Sequence, residues 1–361
     1  MKKNLRAIAL GAVAAALLAF GLAMAGCSSQ PASEPTQGGS DAATDAPELS
    51  GTMKVVATAD YYTPLFDKFT QETGVKVEAL SMSSGEVLSK LRAEGGTPSA
   101  DLWFGGGVDA FMNAKDDGLL EQVQFDAADE LDPTYKDADG YWYSKGLTIV
   151  GFLVNNDLAS DLGLKAPQSW ADLTDPSYAG EIVMSNPAVS GTNYAAVNAL
   201  LQKMGDEEGW NYFQQLNDNI AYYAKRGADP KNKVSNNEYA IGVTYIDGTI
   251  EQLTEEKNLS IVYPTDGLPW MPDGVAAFKN ADNTAAAKYF IEWLFSNDDN
   301  LKLLAELDQK NSVKLIKPSL QGIDLGYDTS ILLPEDLSLF GAQREDMLAR
   351  FETLMGDKAS A

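Results

Sequence analysis

Apolar and polar positions along this chain switch repeatedly between two periods, and the first clear instance begins at Met53. Residues 53–57 form an apolar run of strand length that ends in a polar turn at Thr58, Asp60, Tyr61 and Tyr62. Pro64 then opens a stretch in which Leu65, Phe66 and Phe69 recur with helical spacing until Gly74 stops it. Residues 75–80 alternate as a second strand. Ser83, Ser84 and Gly85 stand just before another helical run, Val87, Leu88 and Leu91, with Glu86 in its first turn. Serine satisfies free amides at a helix start, and an acid complements the positive end of the helix dipole. After Pro98 the chain enters an apolar strand over residues 100–104, containing Trp103 as a core residue, and finishes on Gly105, Gly106 and Gly107.

This order, strand–helix–strand–helix–strand, predicts an α/β fold with a parallel sheet covered by helices on its faces. In such sheets the loops after the strand C-termini converge on one crevice. Asp60 with Tyr61, Ser83 with Ser84 and Gly85, and Gly105 with Gly106 are therefore expected to be neighbours in space. Free amides and hydroxyls at a helix start suit an anion, and glycines let the backbone approach a ligand. Taken alone, the same residues read as a capped helix followed by a turn.

Residues 147–154 are apolar throughout and long enough for a strand that leaves one lobe and enters a second. A short helix around Trp170 and a strand at 182–184 follow. Ser190, Gly191 and Thr192 then precede another helix, so the serine loop and helix start occur twice. Lys225, Arg226 and Gly227 come after an apolar segment, a helix is expected over 231–238, and a strand over 239–245 runs from Tyr239 into Tyr245 and Asp247. Residues 259–263 and 274–278 bracket a proline-rich loop, 264–272, with Trp270 at its centre, and look like a return crossing. Helices are expected at 285–295, 298–307 and 343–354. The division this predicts is one lobe from 51–150 plus about 264–320, a second from 151–263, and a tail, 321–361, packed on one of them.

Upstream of the fold, Lys2, Lys3 and Arg6 precede an apolar run from 7 to 25 that closes on Gly26 and Cys27. A basic segment, an apolar core and small residues make an export signal; an uncleaved membrane anchor is the alternative. Met24-Ala25-Gly26-Cys27 resembles a lipobox, in which the cysteine takes the lipid, so residues 1–26 are expected to be removed and Cys27 lipidated. Residues 27–50, rich in Ser, Pro, Ala, Gly and Thr, read as a flexible tether. The expected location is the outer face of the cell membrane or the periplasm.

Composition removes several function classes. With 52 acids against 27 bases, the chain lacks the basic footprint of a nucleic-acid binder. It contains no histidine, which excludes Ser-His and Cys-His nucleophile systems and imidazole zinc sites. Its single cysteine excludes an internal disulfide. A hydrolase built on paired carboxylates survives this filter, although no two acids stand in a recognisable catalytic spacing.

From Val55 to Leu307 the chain resembles the extracellular solute-binding proteins of ABC importers, within the cluster that binds iron(III), phosphonates and organophosphates. The resemblance is carried by Ser83-Ser84-Gly85-Glu86-Val87-Leu88, Ala100-Asp101-Leu102-Trp103-Phe104-Gly105-Gly106, Pro167-Gln168-Ser169-Trp170-Ala171-Asp172-Leu173 and Tyr178-Ala179-Gly180-Glu181-Ile182-Val183-Met184-Ser185-Asn186-Pro187, followed by Ser190-Gly191-Thr192. It implies a two-lobed periplasmic-binding-protein fold (type II) with two hinge strands between lobes, no catalysis, no cofactor, a monomer, and membrane permease subunits as partners. A sensor subunit that reports its ligand is the other role open to such a protein.

Two ligand readings stay open. Ser83, Ser84, Gly85, Gly105, Gly106, Ser190, Gly191 and Thr192, with Lys225 and Arg226, suit a phosphonate or organophosphate anion. Asp60, Glu86 or Asp247 would hold an amino group or hydroxyls of the same solute, with Tyr61 and Trp270 lining the cleft. Iron-binding members hold ferric ion with adjacent tyrosines just after the strand that here precedes Tyr245. In this chain Ile246 and Asp247 follow, so the pair is broken and Tyr245 is the first candidate if iron is bound.

Overall fold

The protein is described here by a computed structural model covering residues 49–325 and 328–358. The export signal, Cys27 and nearly all of the tether lie outside the described residues. The strands are β1 Thr52–Ala57, β2 Lys76–Ser81, β3 Leu102–Gly107, β4 Leu120–Glu121, β5 Tyr143–Asn155, β6 Ile182–Ser185, β7 Ile220–Ala224, β8 Ile241–Ile246, β9 Leu259–Val262 and β10 Trp270–Phe278. The helices are α1 Thr63–Thr73, α2 Ser84–Ala93, α3 Val108–Asp116, α4 Asn156–Asp161, α5 Gly191–Met204, α6 Asp206–Asn219 and α7 Asp229–Ser235. They continue as α8 Gly248–Glu256, α9 Thr284–Ser296, α10 Asp298–Asp308, α11 Val313–Ile316, α12 Ser338–Ala342 and α13 Arg344–Met355.

Local chemistry explains the first helices. Pro64 sits in the first turn of α1, whose buried face is Leu65, Phe66 and Phe69, and Gly74 ends it in a left-handed conformation at φ 77°. Ser83 caps α2. The Glu86 carboxylate accepts from the Ser83 amide at 2.9 Å and from its hydroxyl at 2.8 Å, which closes the turn that delivers Ser84.

The sheet runs β2-β1-β3-β10-β5-β8-β6-β7, with β4 added beside β10 and β9 beside β5. β1, β2 and β3 are parallel, as are β6, β7 and β8, so each end of the sheet is a small parallel α/β unit. β5 joins the two. Its first half pairs with β10, from Tyr143 against Val275 to Ile149 against Trp270. Its second half pairs with β8, from Ile149 against Ile246 to Val154 against Ile241. The chain returns between β9 and β10. This is the two-lobed α/β arrangement expected from the residue pattern.

The cores sit on both faces of each half. In the first lobe, Phe66, Phe69, Phe104 and Phe290 pack on one face and Trp103, Phe111 and Phe278 on the other. Trp103 stacks on Phe111 at 3.9 Å between ring centroids, the core role expected of it. In the second lobe, Phe152, Trp170, Tyr194 and Phe213 pack with Phe340, Met347 and Phe351 from the tail.

Two elements differ from the pattern-based expectation: the helix expected over 231–238 is α7, Asp229–Ser235, and the return crossing is also changed. The proline-rich loop is shorter than predicted, because β10 begins at Trp270 and runs through Pro272. A proline is tolerated inside this central strand because the ladder is irregular beside it. The register shifts after Asp273 on both flanks.

Candidate functional site

A cleft of about 370 Å³ opens where the two parallel units face each other. Both walls are built from loops at strand C-termini, as the geometry of parallel sheets requires. The first-lobe wall carries Thr58 to Tyr62 after β1, Ser81 to Ser84 after β2, and Gly106 and Gly107 at the end of β3. The second-lobe wall carries Ser190 to Thr192 after β6, Arg226 to Asp229 with Lys231 after β7, Tyr245 near the end of β8 and Asp247 just after it. Thr148, Met271, Asp273 and Lys310 line it from the hinge side.

The N-termini of α2 and α5 meet across this space. A Cβ placed on Gly191 would lie 2.9 Å from Ser84 Oγ and 2.8 Å from the Gly107 nitrogen, so only glycine allows the two lobes to come this close. The Arg226 loop packs on the same helix start. A Cβ on Gly227 would stand 3.1 Å from Thr192 Oγ1 and 3.2 Å from Ser190 Oγ. The two helix starts, with their amides and hydroxyls, and Arg226 therefore line the same cleft.

Beneath the first-lobe wall lies a buried ionic network. Lys145 donates to Tyr62 Oη at 2.7 Å, Asp273 Oδ2 at 2.7 Å and Asp308 Oδ2 at 3.1 Å. The other oxygen of Asp273 accepts from the Gly106 amide at 2.5 Å, which ties the glycine loop to the hinge strand β10. Burial alone would neutralise these groups. Lys145, helped by Lys310, outweighs burial and keeps the Asp273 carboxyl below its usual range, while Asp273 and Asp308 hold the Lys145 ammonium above its own.

Lys231 is in the opposite situation. Burial depresses its pKa and Asp247 only partly opposes this. Its Nζ stands 5.2 Å from the centroid of the Tyr245 ring. Among the described residues, neither Lys231 nor Arg226 has an acid within ion-pairing distance. Burial first, and the acids Asp308, Asp247 and Asp273 after it, push the Tyr61 phenol far up; burial and then Asp247 do the same to Tyr245.

Of the residues singled out from sequence, the fold brings Asp60, Tyr61, Ser83, Ser84, Gly106, Ser190, Gly191, Thr192, Arg226, Tyr245 and Asp247 to the cleft. Five do not line it. Gly85 packs against Ala188 of the opposite lobe, and Gly105 lies behind the wall against Thr58. Lys225, just past the end of β7, is exposed and does not line the cleft. Trp270 is buried against the tail, its indole donating to the Leu333 carbonyl at 2.8 Å and its ring edge-on to Tyr135. Glu86 is occupied in capping α2.

Sequence reasoning missed Lys145, Lys231, Asp273 and Lys310. Lys145 had a signal, a lone cation at the start of a strand buried on both faces. Lys231 was read only as the start of a helix. Lys310 and Asp273 reach the cleft through tertiary packing that no local pattern marks.

Comparison with known proteins places the chain. The family described as "Bacterial extracellular solute-binding protein" matches residues 64–311. A probable ABC transporter periplasmic-binding protein of Sinorhizobium fredii is 25% identical over 236 residues, 62% of this chain and 64% of that protein. The periplasmic binding protein AfuA of Actinobacillus pleuropneumoniae, solved with exogenous fructose-6-phosphate bound, superposes with a TM-score of 0.77 at 26% identity, covering 85% of this chain and 99% of that one. Iron-bound HitA of Pseudomonas aeruginosa shares the fold, with a TM-score of 0.68 at 17% identity over 85% of this chain and 99% of that one.

Proposed function

The chain belongs to the bacterial extracellular solute-binding proteins, which makes it the solute-binding protein of an ABC importer, and from that premise we propose that its cleft captures an organophosphate-type or phosphonate-type anion. The observation that carries this reading is the pair Arg226 and Lys231. In a chain with 52 acids against 27 bases, two cations that have no acid partner among the described residues line the cleft beside two opposed helix N-termini. A half-buried lysine whose charge is disfavoured by its surroundings is stabilised when an anion arrives. AfuA, solved with exogenous fructose-6-phosphate bound, supports the same class of ligand.

Capture is non-enzymatic: the lobes close on the solute, hold it, and present it to a permease. The protein acts as a monomer. The leader pattern ending at Cys27 supports export and lipid anchoring at the outer face of the membrane. Radiolabelled palmitate incorporated into the wild-type chain and not into a Cys27→Ala variant tests that part.

Ferric iron is the second reading, favoured by the phenols of Tyr61 and Tyr245 meeting Asp247 at the cleft. Two features oppose it. The Lys231 ammonium over the Tyr245 ring repels a trivalent cation, and both phenols are held in their neutral form.

A thermal-shift series decides between them, using fructose 6-phosphate, 3-phosphoglycerate, 2-aminoethylphosphonate, spermidine and ferric citrate. A ligand at a hundred times its Kd adds about 2.7 kcal/mol, readily seen as a raised Tm. A shift with a phosphorylated compound or phosphonate supports the anion reading. A shift with ferric citrate alone, accompanied by visible tyrosinate colour, replaces it with iron.

A further inference from the structure

The tail contacts both lobes. Leu333 and Ile331 exchange backbone hydrogen bonds with Leu268 at the return crossing, each at 2.9 Å. α12 lies on α3 of the first lobe, where Asn113 Nδ2 donates to the Gly341 carbonyl at 3.0 Å. α13 lies on the second lobe, with Phe351 edge-on to Tyr223 at 5.1 Å and Arg350 paired with Asp206 at 2.8 Å.

Arg344 occupies the joint between α12 and α13. Its Nε donates to Asp109 Oδ2 of α3 at 2.8 Å, and its Nη2 donates to the Ala188 carbonyl of the second lobe at 3.1 Å. Arg344 is 6% exposed and Asp109 1%, so this is a desolvated pair that bridges two lobes. Asp109 Oδ1 makes no hydrogen bond among the described residues, which leaves Arg344 as the partner on which that carboxylate depends.

The place where Arg344 bridges is the seam along which the cleft closes. A Cβ on Gly85 would collide with the Ala188 carbonyl and stand 2.7 Å from Val189 Cα, and Gly107 meets Gly191 one step further along. When the lobes part, Ala188 moves away from Asp109, and one guanidinium cannot keep both contacts. We propose that Arg344 is a positioning residue that couples the C-terminal tail to lobe closure. It touches no solute, and it favours the closed state by joining Asp109 to Ala188. This inference rests on the reading that the lobes close around a solute, and its test needs no ligand.

The test is hydrogen exchange on the ligand-free full-length chain, comparing wild type, Arg344→Ala and Arg344→Lys, with small-angle scattering alongside. In Arg344→Ala, the amides of 188–191 and 84–87 exchange about tenfold faster, those of the core strands β1 and β8 keep their wild-type rates, and the radius of gyration rises. In Arg344→Lys, the ammonium still pairs with Asp109 but has no second fixed nitrogen for Ala188. The seam amides again exchange faster, while those of α3 stay protected. The lysine variant decides the question if the alanine variant does not fold. Unchanged seam exchange in the lysine variant, or an equal rise in β1 and β8, overturns the proposal. Failure of every phosphorylated compound in the thermal series would leave this result untouched, because it concerns the ligand and not the seam.

Discussion

Lys231 Nζ stands 5.2 Å from the centroid of the Tyr245 ring, buried enough that its charge is disfavoured and, among the described residues, with no acid close enough to pair with it. This is a cation held ready for an anion that the chain itself does not provide. Anion binding raises the Lys231 pKa from its depressed value. Affinity is therefore constant at pH values below the free-state pKa and falls as pH rises through it. Isothermal titration with the ligand found by thermal shift, from pH 6 to pH 10, is expected to show that decline in wild type. In Lys231→Met the decline is expected to be much shallower and affinity at pH 7 to be lower by about 1.5–3 kcal/mol. A wild-type affinity independent of pH would remove Lys231 from the site.

Arg226 lines the cleft next to Gly227, which packs on the helix start at Ser190 and Thr192. Arg226→Ala is expected to weaken anion binding by about 2–4 kcal/mol, with little change in the Tm of the free protein. Lys225→Ala, one residue away and facing water, is the internal control and should bind as wild type does. Equal losses in the two variants would mean that the effect is general charge and not contact.

Gly191→Ala places a methyl group between Gly107 and Ser84 Oγ, in space the closed lobes occupy. The residue lies in the first turn of α5, where alanine is well tolerated by the helix itself. The expected result is a folded protein whose ligand affinity falls at least about tenfold, mainly through faster dissociation in stopped-flow measurements. A binding curve unchanged from wild type would show that the lobes close without using this contact.

Lys145 pairs with Asp273 and Asp308, all three side chains being almost fully buried. Lys145→Met leaves two buried carboxylates facing one another and should lower stability at pH 7 by about 3–5 kcal/mol in denaturant melts. The pH dependence has two arms in wild type. The raised Lys145 pKa contributes stability fully present below 10.5 and lost as pH rises through the folded-state value. The lowered Asp273 pKa contributes stability present above 3.8 and lost as pH falls through its own folded-state value. The methionine variant should lose both arms, and its deficit relative to wild type should shrink on acidification. A deficit independent of pH would assign the loss to packing.

The division between what the chain's pattern dictates and what packing decides follows the range of the forces involved. Strand and helix periods, Pro64, Gly74 and the Ser83–Glu86 cap act over a few residues, so the parallel α/β units and the places where their loops emerge can be read directly. The rule that such loops converge then names Asp60, Ser84 and Gly106 as neighbours, and the fold brings all three to the cleft. Side-chain direction and long-range pairing obey no local rule. Lys225 and Arg226 look equivalent in sequence and both are exposed, yet only Arg226 lies at the cleft. Trp270 reads as a loop aromatic until the tail, some sixty residues later, covers it. The charges that matter most, Lys145 between Asp273 and Asp308 and Arg344 between Asp109 and Ala188, join residues 128 to 235 positions apart. Desolvation makes each partner obligatory for the other. Which residues become partners is settled only when the two lobes and the tail pack together.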